Sequence, residues 1–285
     1  MANSLKKLRQ IEQVTIPKSV QDAIPIRQVF ADGVFRCGNH YSKTFRFTDI
    51  NYRVASKDDQ MDMFLKYCDL INSLDTEAVT KLTINNRRLN RQDFEARVLM
   101  PEKQDGLDIY RREYNAMLFN RAVVNANNMV QEKYITISTT RRNVQDARAL
   151  FSRISSEMYA HFSKLSSRLI NLELKERLRI FHDFYRLGQE QYFMFNLSDT
   201  VRKGHGFKDS ICPDSMVMDD HTIKIGDKYC RTLYMREYAS FIKDSLVTEL
   251  TDLPKNMMLS IDMQPVPTDE AVKIINKLIL GTETD

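Results

Sequence analysis

The sequence predicts an α+β fold with mostly antiparallel sheets, built as two related hairpin–helix–strand–helix lobes bridged by a long helical middle segment. Three observations carry that prediction. Short runs rich in aromatic and β-branched residues are joined by glycine turns, amphipathic stretches start at capping residues, and a ten-residue block recurs at an offset of 188. With 285 residues, 42% hydrophobic and 28% charged, the composition is globular and suits one large domain or two ordinary ones. The expected division is an N-terminal arm over 1–28, a first lobe over 29–142, a helical hairpin over 143–200 and a second lobe over 201–285.

The arm is polar, with Pro17 and Pro25 as breakers. Val29 to Phe35, interrupted at Asp32-Gly33, and Tyr41 to Ile50 then read as strands, and Gly38-Asn39 between them reads as a hairpin turn. Ser56 can cap the next helix, with Asp58 and Asp59 in its first turn and an apolar stripe of Met61, Phe64, Leu65, Cys68 and Ile71. Val79, Leu82 and Ile84 belong to a strand, and Gln104 to Gly106 form a break. Leu107, Tyr110, Tyr114, Met117, Leu118 and Val124 carry helical spacing toward Gln131, before a β-branched strand at Lys133 to Thr139.

The middle predicts two long helices. Asn143 can cap a stripe running from Val144 through Ala147, Leu150, Phe151, Ile154, Met158, Phe162 and Leu165 to Leu169. A second stripe, Leu174, Leu178, Phe181 and Tyr185, ends near Gly188, and a short link predicts an antiparallel pair. Arg202 to Pro213 has the least pattern and reads as a loop. Beyond it come Met216 to Ile225, a turn at Gly226-Asp227, and Tyr229 to Met235. A helix with Phe241, Ile242, Leu246 and Leu250, a strand at Met257 to Met263, and a helix capped by Thr268 close the chain. On that last helix Val272, Ile275 and Leu278 share a face.

The repeat aligns Gly38, Tyr41 and Thr44 with Gly226, Tyr229 and Thr232, and sets Lys43 against Arg231. Each block leads through a helix to a similar strand, Leu82-Thr83-Ile84-Asn85 in one half and Leu259-Ser260-Ile261-Asp262 in the other. Duplication of a structural unit accounts for both. It specifies no chemistry.

Searches for chemistry return little. The net charge is only +4, and Arg87-Arg88, Arg111-Arg112, Arg141-Arg142 and Arg202-Lys203 each have acidic neighbours, so they read first as solvated surface. A sharper reading makes those pairs contacts for DNA, acidic lipid or a protein partner. Cys37, Cys68, Cys212 and Cys230 are scattered without zinc-ligand spacing and read as free thiols in a reducing compartment. Gly33 and Gly38 have the spacing of a phosphate-cradling loop, but Asn39 and His40 stand where lysine and a hydroxyl are needed. Gly204-His205-Gly206 lacks the third glycine of a dinucleotide site. His40, His161, His182, His205 and His221 form no ligand pair, and GxSxG is absent. Asp219, Asp220 and His221 could serve metal-assisted hydrolysis, yet Asp at a turn ordinarily bonds backbone. Met61, Met117 and Met158 read as core, and Met216, Met218, Met257, Met258 and Met263 read first as sheet core of the second lobe, with a flexible partner-binding surface as the alternative. No catalytic, cofactor or metal residue is assigned. No apolar run approaches the roughly 18 residues that span a bilayer, and no secretory leader is evident.

Asp32-Gly33-Val34, the run Tyr41 to Tyr52, Leu82 to Arg87 and Lys133 to Thr136 together give the chain a family likeness. It resembles the N-terminal region of the VirB/TrbE/CagE-type conjugation ATPases of type IV secretion, in the form carried by integrative elements of Gram-positive bacteria. The resemblance spans nearly the whole chain. It implies an α+β region that precedes a RecA-like motor domain bearing the phosphate loop. The chain reaches Asp285 without that loop, so the resemblance implies a non-catalytic N-terminal domain. It further implies docking to inner-membrane channel proteins, contact with the motor domain, oligomer assembly, and a cytoplasmic position at the inner face of the membrane. Binding of transferred DNA through the arginine pairs is the alternative.

Overall fold

Alternating and helical apolar patterns combine here into one large antiparallel sheet with helices on both faces. The computed structural model describes residues 17–90, 92, 94–95, 98–121, 129–219, 221–237, 241 and 245–282. The chain opens with α1 (Val20–Ala23), β1 (Gln28–Val29), β2 (Phe35–Cys37) and β3 (His40–Phe47). Then come α2 (Lys57–Asn72), β4 (Val79–Arg88), α3 (Asp108–Asn120) and β5 (Met129–Thr140). The middle holds α4 (Val144–Lys164), β6 (Leu169–Asn171), α5 (Leu174–Tyr185) and α6 (Leu197–Arg202). The last part holds β7 (Met216–Met218), β8 (Ile223–Ile225), β9 (Lys228–Cys230), α7 (Ser245–Thr251), β10 (Met257–Met263) and α8 (Thr268–Thr282). The mixed α+β class with mostly antiparallel sheets agrees with the sequence prediction.

The seven-stranded sheet runs β1-β2-β3-β5-β4-β10, with β6 beside β3, and β7-β8-β9 form a separate three-stranded sheet. Register places Phe45 opposite Ile135, Ile135 opposite Leu82, and Leu82 opposite Ile261. That row faces α4, whose Ala147, Leu150, Phe151, Ile154 and Met158 recur at three and four residues and are buried with Phe45, Ile135 and Ile137. Each of the larger side chains among them contributes about 1.5–3 kcal/mol of burial. The opposite face carries a second core, where α5 sets Leu174 and Leu178 against Phe35, Ile24, Ile26 and Ile211. Asn143 caps α4 and Ser56 caps α2, as their spacing predicts.

Several expectations are corrected. Helix α4 stops at Lys164, and Leu169 lies in a strand paired with Phe47. The cause is local: Ser166 takes φ +58°, the Ser167 hydroxyl donates to the Thr48 carbonyl, and the Thr48 hydroxyl accepts from the Arg168 N–H. Strand β6 therefore separates the two helices. They are no hairpin, since Tyr159 of α4 meets the Phe45 ring while Arg177 of α5 bonds Ser42 on the other face. Gln131 lies in β5 rather than in a helix, and Phe241 stands outside α7. Val124, Asp220 and Ile242 lie outside the described residues. The described end of the arm is docked, not free: Ser19 caps α1, and Ile24 is 1% exposed.

The duplicated blocks are hairpins of matching geometry. Gly38 has φ +61° and Gly226 φ +58°, each as the first residue of a two-residue loop closed by Cys37–His40 and Ile225–Lys228 pairs. Glycine suits that position because it enters the left-handed region without a Cβ penalty. Strand β10 does not stay with β7–β9. It pairs with β4, and Thr83 stands directly opposite Ser260, its counterpart in the repeat. The two related strands thus meet antiparallel about a local two-fold.

Candidate functional site

Among the described residues, three helices hold apolar stripes that are largely exposed. Helix α2 touches α4 and buries only Leu70, while Met61, Phe64, Leu65 and Tyr67 are 49–60% exposed. Helix α3 buries no residue, and Ile109, Tyr110, Tyr114 and Met117 are 43–67% exposed. On α8, Val272, Ile274, Ile275 and Ile279 are 50–54% exposed. The reading of Met61 and Met117 as core is thereby corrected, whereas Met158 is buried. Met218 and Met258 are exposed as well, on two different sheets. Helices of this length draw most of their stability from packing an apolar face, and these three expose much of theirs.

Local polar bonds hold α3 in place of packing. Asp108 accepts from the Lys103 and Gln104 N–H groups, Asp105 accepts from Leu107 N–H, and Arg111 bonds both carboxylates. The Arg111 hydrogen bond draws the Asp105 carboxyl down to about 2. Asn115 exchanges two hydrogen bonds of 2.9 Å with the backbone of Met100. Strand β10 ends the sheet: among the described residues its outer edge pairs with no strand.

A cleft of about 500 Å³ lies between the sheet and α5. Arg46, Arg87 and Arg179 line it together with Glu132, Glu176 and Asp183. Arg87 lies 3.4 Å from Glu132, and Arg179 lies 3.3 Å from Asp183. Burial works to lower the Arg87 guanidinium, but Glu132, Asp183 and Glu190 offset it and hold the group raised. Burial, with Glu132 alongside, pushes the Tyr134 phenol up. The buried Glu190 carboxylate accepts from Asn90 at 2.6 Å and Gly188 N–H at 2.8 Å. Positive and negative side chains balance here. The arrangement fastens α5 to the sheet.

Arg177 is the fastening that sequence reasoning missed. It is 4% exposed, donates to the Gly33 carbonyl at 2.6 Å and the Ser42 carbonyl at 2.7 Å, and stacks 4.0 Å over Phe35. Burial lowers it to about 9, so it remains charged at neutral pH. The signal was present: Arg177 falls three residues after Leu174, on the apolar stripe.

The residues singled out from sequence scatter. Gly33 packs on the Leu172 carbonyl and Gly38 turns a hairpin, so the two glycines do not form a phosphate cradle. Arg87 pairs with Glu132, Arg111 with Asp105, Arg141 with Glu77 and Arg202 with Asp199, so each basic pair has a member committed to a carboxylate. His182 is buried beside Asp183, and exposed His205 sits 3.6 Å from Asp209. Asp219 N–H donates to the Thr222 carbonyl, as a turn residue does. Cys37, Cys68, Cys212 and Cys230 are all free thiols. The segment read as a loop after Arg202 is anchored: Lys208 bonds the Gln21 and Ile24 carbonyls, Gln21 bonds Asp209, and Ile211 is fully buried. Among the described residues no three His, Cys, Asp or Glu converge as metal ligands, and no helix is long and apolar enough to cross a membrane. No protein-family model matches the chain, and no curated protein matches it.

Proposed function

We propose that this chain is a non-catalytic assembly and docking domain of a conjugative-transfer ATPase of the type IV secretion kind. In this reading it lies peripherally at the cytoplasmic face of the membrane, contacts inner-membrane channel proteins and supports oligomerisation. The observation that carries the docking role is the set of uncovered apolar stripes on α2, α3 and α8. The transfer-system context rests on the resemblance carried by Asp32 to Tyr52, Leu82 to Arg87 and Lys133 to Thr136. The cleft against α5 supports the non-catalytic part, because its Arg87 and Arg179 are engaged with Glu132 and Asp183.

The test is co-expression with the integral-membrane channel subunits encoded beside the chain, followed by purification of the complex. The wild-type chain is expected to co-purify with a channel subunit. Phe64→Glu, Tyr110→Glu and Ile275→Glu each put a charge on one stripe, and at least one should abolish co-purification while the fold stays intact by circular dichroism. Failure of the wild-type chain to co-purify, or full retention by all three variants, would refute the reading.

A further inference from the structure

A second cavity, of about 410 Å³, lies between α4 and the sheet, on the face opposite the charged cleft. Strand β3 contributes Lys43, and β6 contributes Asn171, which register places two residues along, opposite Phe45. From α4 come Arg148, Ser152 and Tyr159, spaced by four and seven residues. That spacing lines them along one edge of the helix, beside its buried apolar stripe. Asp32 closes the cavity near the turn before β2, and Arg148 Nε donates to its Oδ2 at 2.6 Å.

Two groups in this cavity are incompletely paired. Among the described residues the Lys43 ammonium makes no hydrogen bond or ion pair with any side chain or carbonyl, although it is only partly exposed. The Asn171 Oδ1 atom is buried and accepts from nothing. A desolvated polar atom left unsatisfied destabilises the fold. One such atom beside a half-exposed ammonium marks a site that a molecule from outside the chain would complete. The cavity holds two cations against one carboxylate, Asp32, which Arg148 already occupies. The charge of buried Arg177 also reaches Lys43 from behind the sheet. Burial lowers the Lys43 ammonium, the nearby Asp32 carboxylate offsets part of that, and Arg177 and Arg148 add to it, leaving a net cost that an anion would relieve.

We infer that this cavity binds a small phosphomonoester whose organic part carries a hydroxyl or amine. The phosphate sits on Lys43, Arg148 and the Ser152 hydroxyl, and the organic hydroxyl or amine donates to Asn171 Oδ1. Lysine serves as a point charge for phosphate, and donors arriving from a strand and a helix suit a tetrahedral oxyanion better than a planar carboxylate. The site goes beyond the docking role and shares none of the residues of the exposed stripes. Failure of one therefore leaves the other standing.

The test uses the full chain and reads acetylation of each lysine by an amine-reactive reagent, resolved by mass spectrometry. The probes are glycerol 1-phosphate, inorganic phosphate, and chloride at matched ionic strength. Glycerol 1-phosphate should slow acetylation of Lys43 while leaving Lys66 and Lys228 unchanged, and chloride should not. Asn171→Leu should raise the glycerol 1-phosphate needed by about tenfold, the worth of one hydrogen bond, without changing protection by inorganic phosphate. Arg148→Met should weaken protection by both phosphates. Vesicles of phosphatidylcholine with phosphatidic acid distinguish a lipid headgroup from a soluble ester, and protection by either source supports the site. Equal protection by chloride, no protection by any phosphate, or protection unaltered in both variants would overturn the inference.

Discussion

Replacing Gly33 by alanine should be the most damaging single-methyl change in the chain. Gly33 has φ +78°, and a Cβ built on it would lie 2.1 Å from the Leu172 carbonyl oxygen. An L-residue in that backbone region costs about 1–2 kcal/mol before any contact is counted. Relieving the contact requires the turn to move by roughly 1 Å, since real Cβ atoms do not approach within 3.0 Å of such an atom. That shift pulls the Gly33 carbonyl from Arg177, whose charge-assisted bond is worth about 1.5–3 kcal/mol. Together these give a loss of roughly 4 kcal/mol and a fall in melting temperature of about 8 °C. Gly204→Ala is the matched control. Gly204 has φ +67° and ends α6 with the paired bonds of His205 N–H to the Thr200 carbonyl and its own N–H to the Val201 carbonyl, but a Cβ there meets nothing within 4 Å. It should cost only about 1 kcal/mol. Urea titration followed by circular dichroism compares the two at a common slope. Equal losses in the two variants would refute the packing argument for Gly33.

Arg177→Met should destabilise by about 3 kcal/mol, because the Gly33 and Ser42 carbonyls lose their shared donor, and Arg177→Lys should recover little, since one ammonium cannot reproduce the fork; the same urea titration reads both. Phe64→Glu should change stability by less than about 0.5 kcal/mol, because the side chain is more than half exposed and touches no core; a large loss of melting temperature would mean that α2 packs more tightly than described. The folded Asp105 carboxyl lies below its ordinary value, so the interaction it makes with Arg111 is fully present above the unfolded carboxylate range and is lost as pH falls through about 2. Carbon-13 NMR of the Asp105 carboxyl should show titration near 2 in the wild-type chain and a clear rise toward the ordinary range in Arg111→Gln, where the Leu107 N–H bond remains.

The parts of the fold legible in the sequence are those set by local chemistry. Ser56 and Asn143 announce their helices, and Gly38 and Gly226 announce their turns, because capping and left-handed backbone act over three or four residues. The α+β class follows from periodicity alone. What the sequence could not convey is which apolar stripe finds a partner. Met61 and Met158 occupy equivalent positions on similar stripes, yet only Met158 meets a sheet, because burial is decided by tertiary arrangement. Leu169 continued a helical period by coincidence, and three hydrogen-bonding positions, Thr48, Ser167 and Arg168, redirected the backbone into a strand. The pairing of β4 with β10 joins residues some 175 positions apart, and no local signal encodes it. The basic pairs looked equivalent in sequence, but the carboxylates that engage Arg87 and Arg141 come from other strands and turns. The polar edge of α4, at Arg148, Ser152 and Tyr159, was there to be read; its meaning needed Lys43 and Asn171 across from it.

Amide hydrogen exchange, run on the chain alone and again in complex with its channel partner, bears most directly on the docking account. Amides in α2, α3 or α8 should exchange quickly in the free chain and gain protection on complex formation, while the α4 and β5 amides stay slow in both. Unchanged exchange along all three helices in a complex that has formed would place the contact elsewhere and contradict the account.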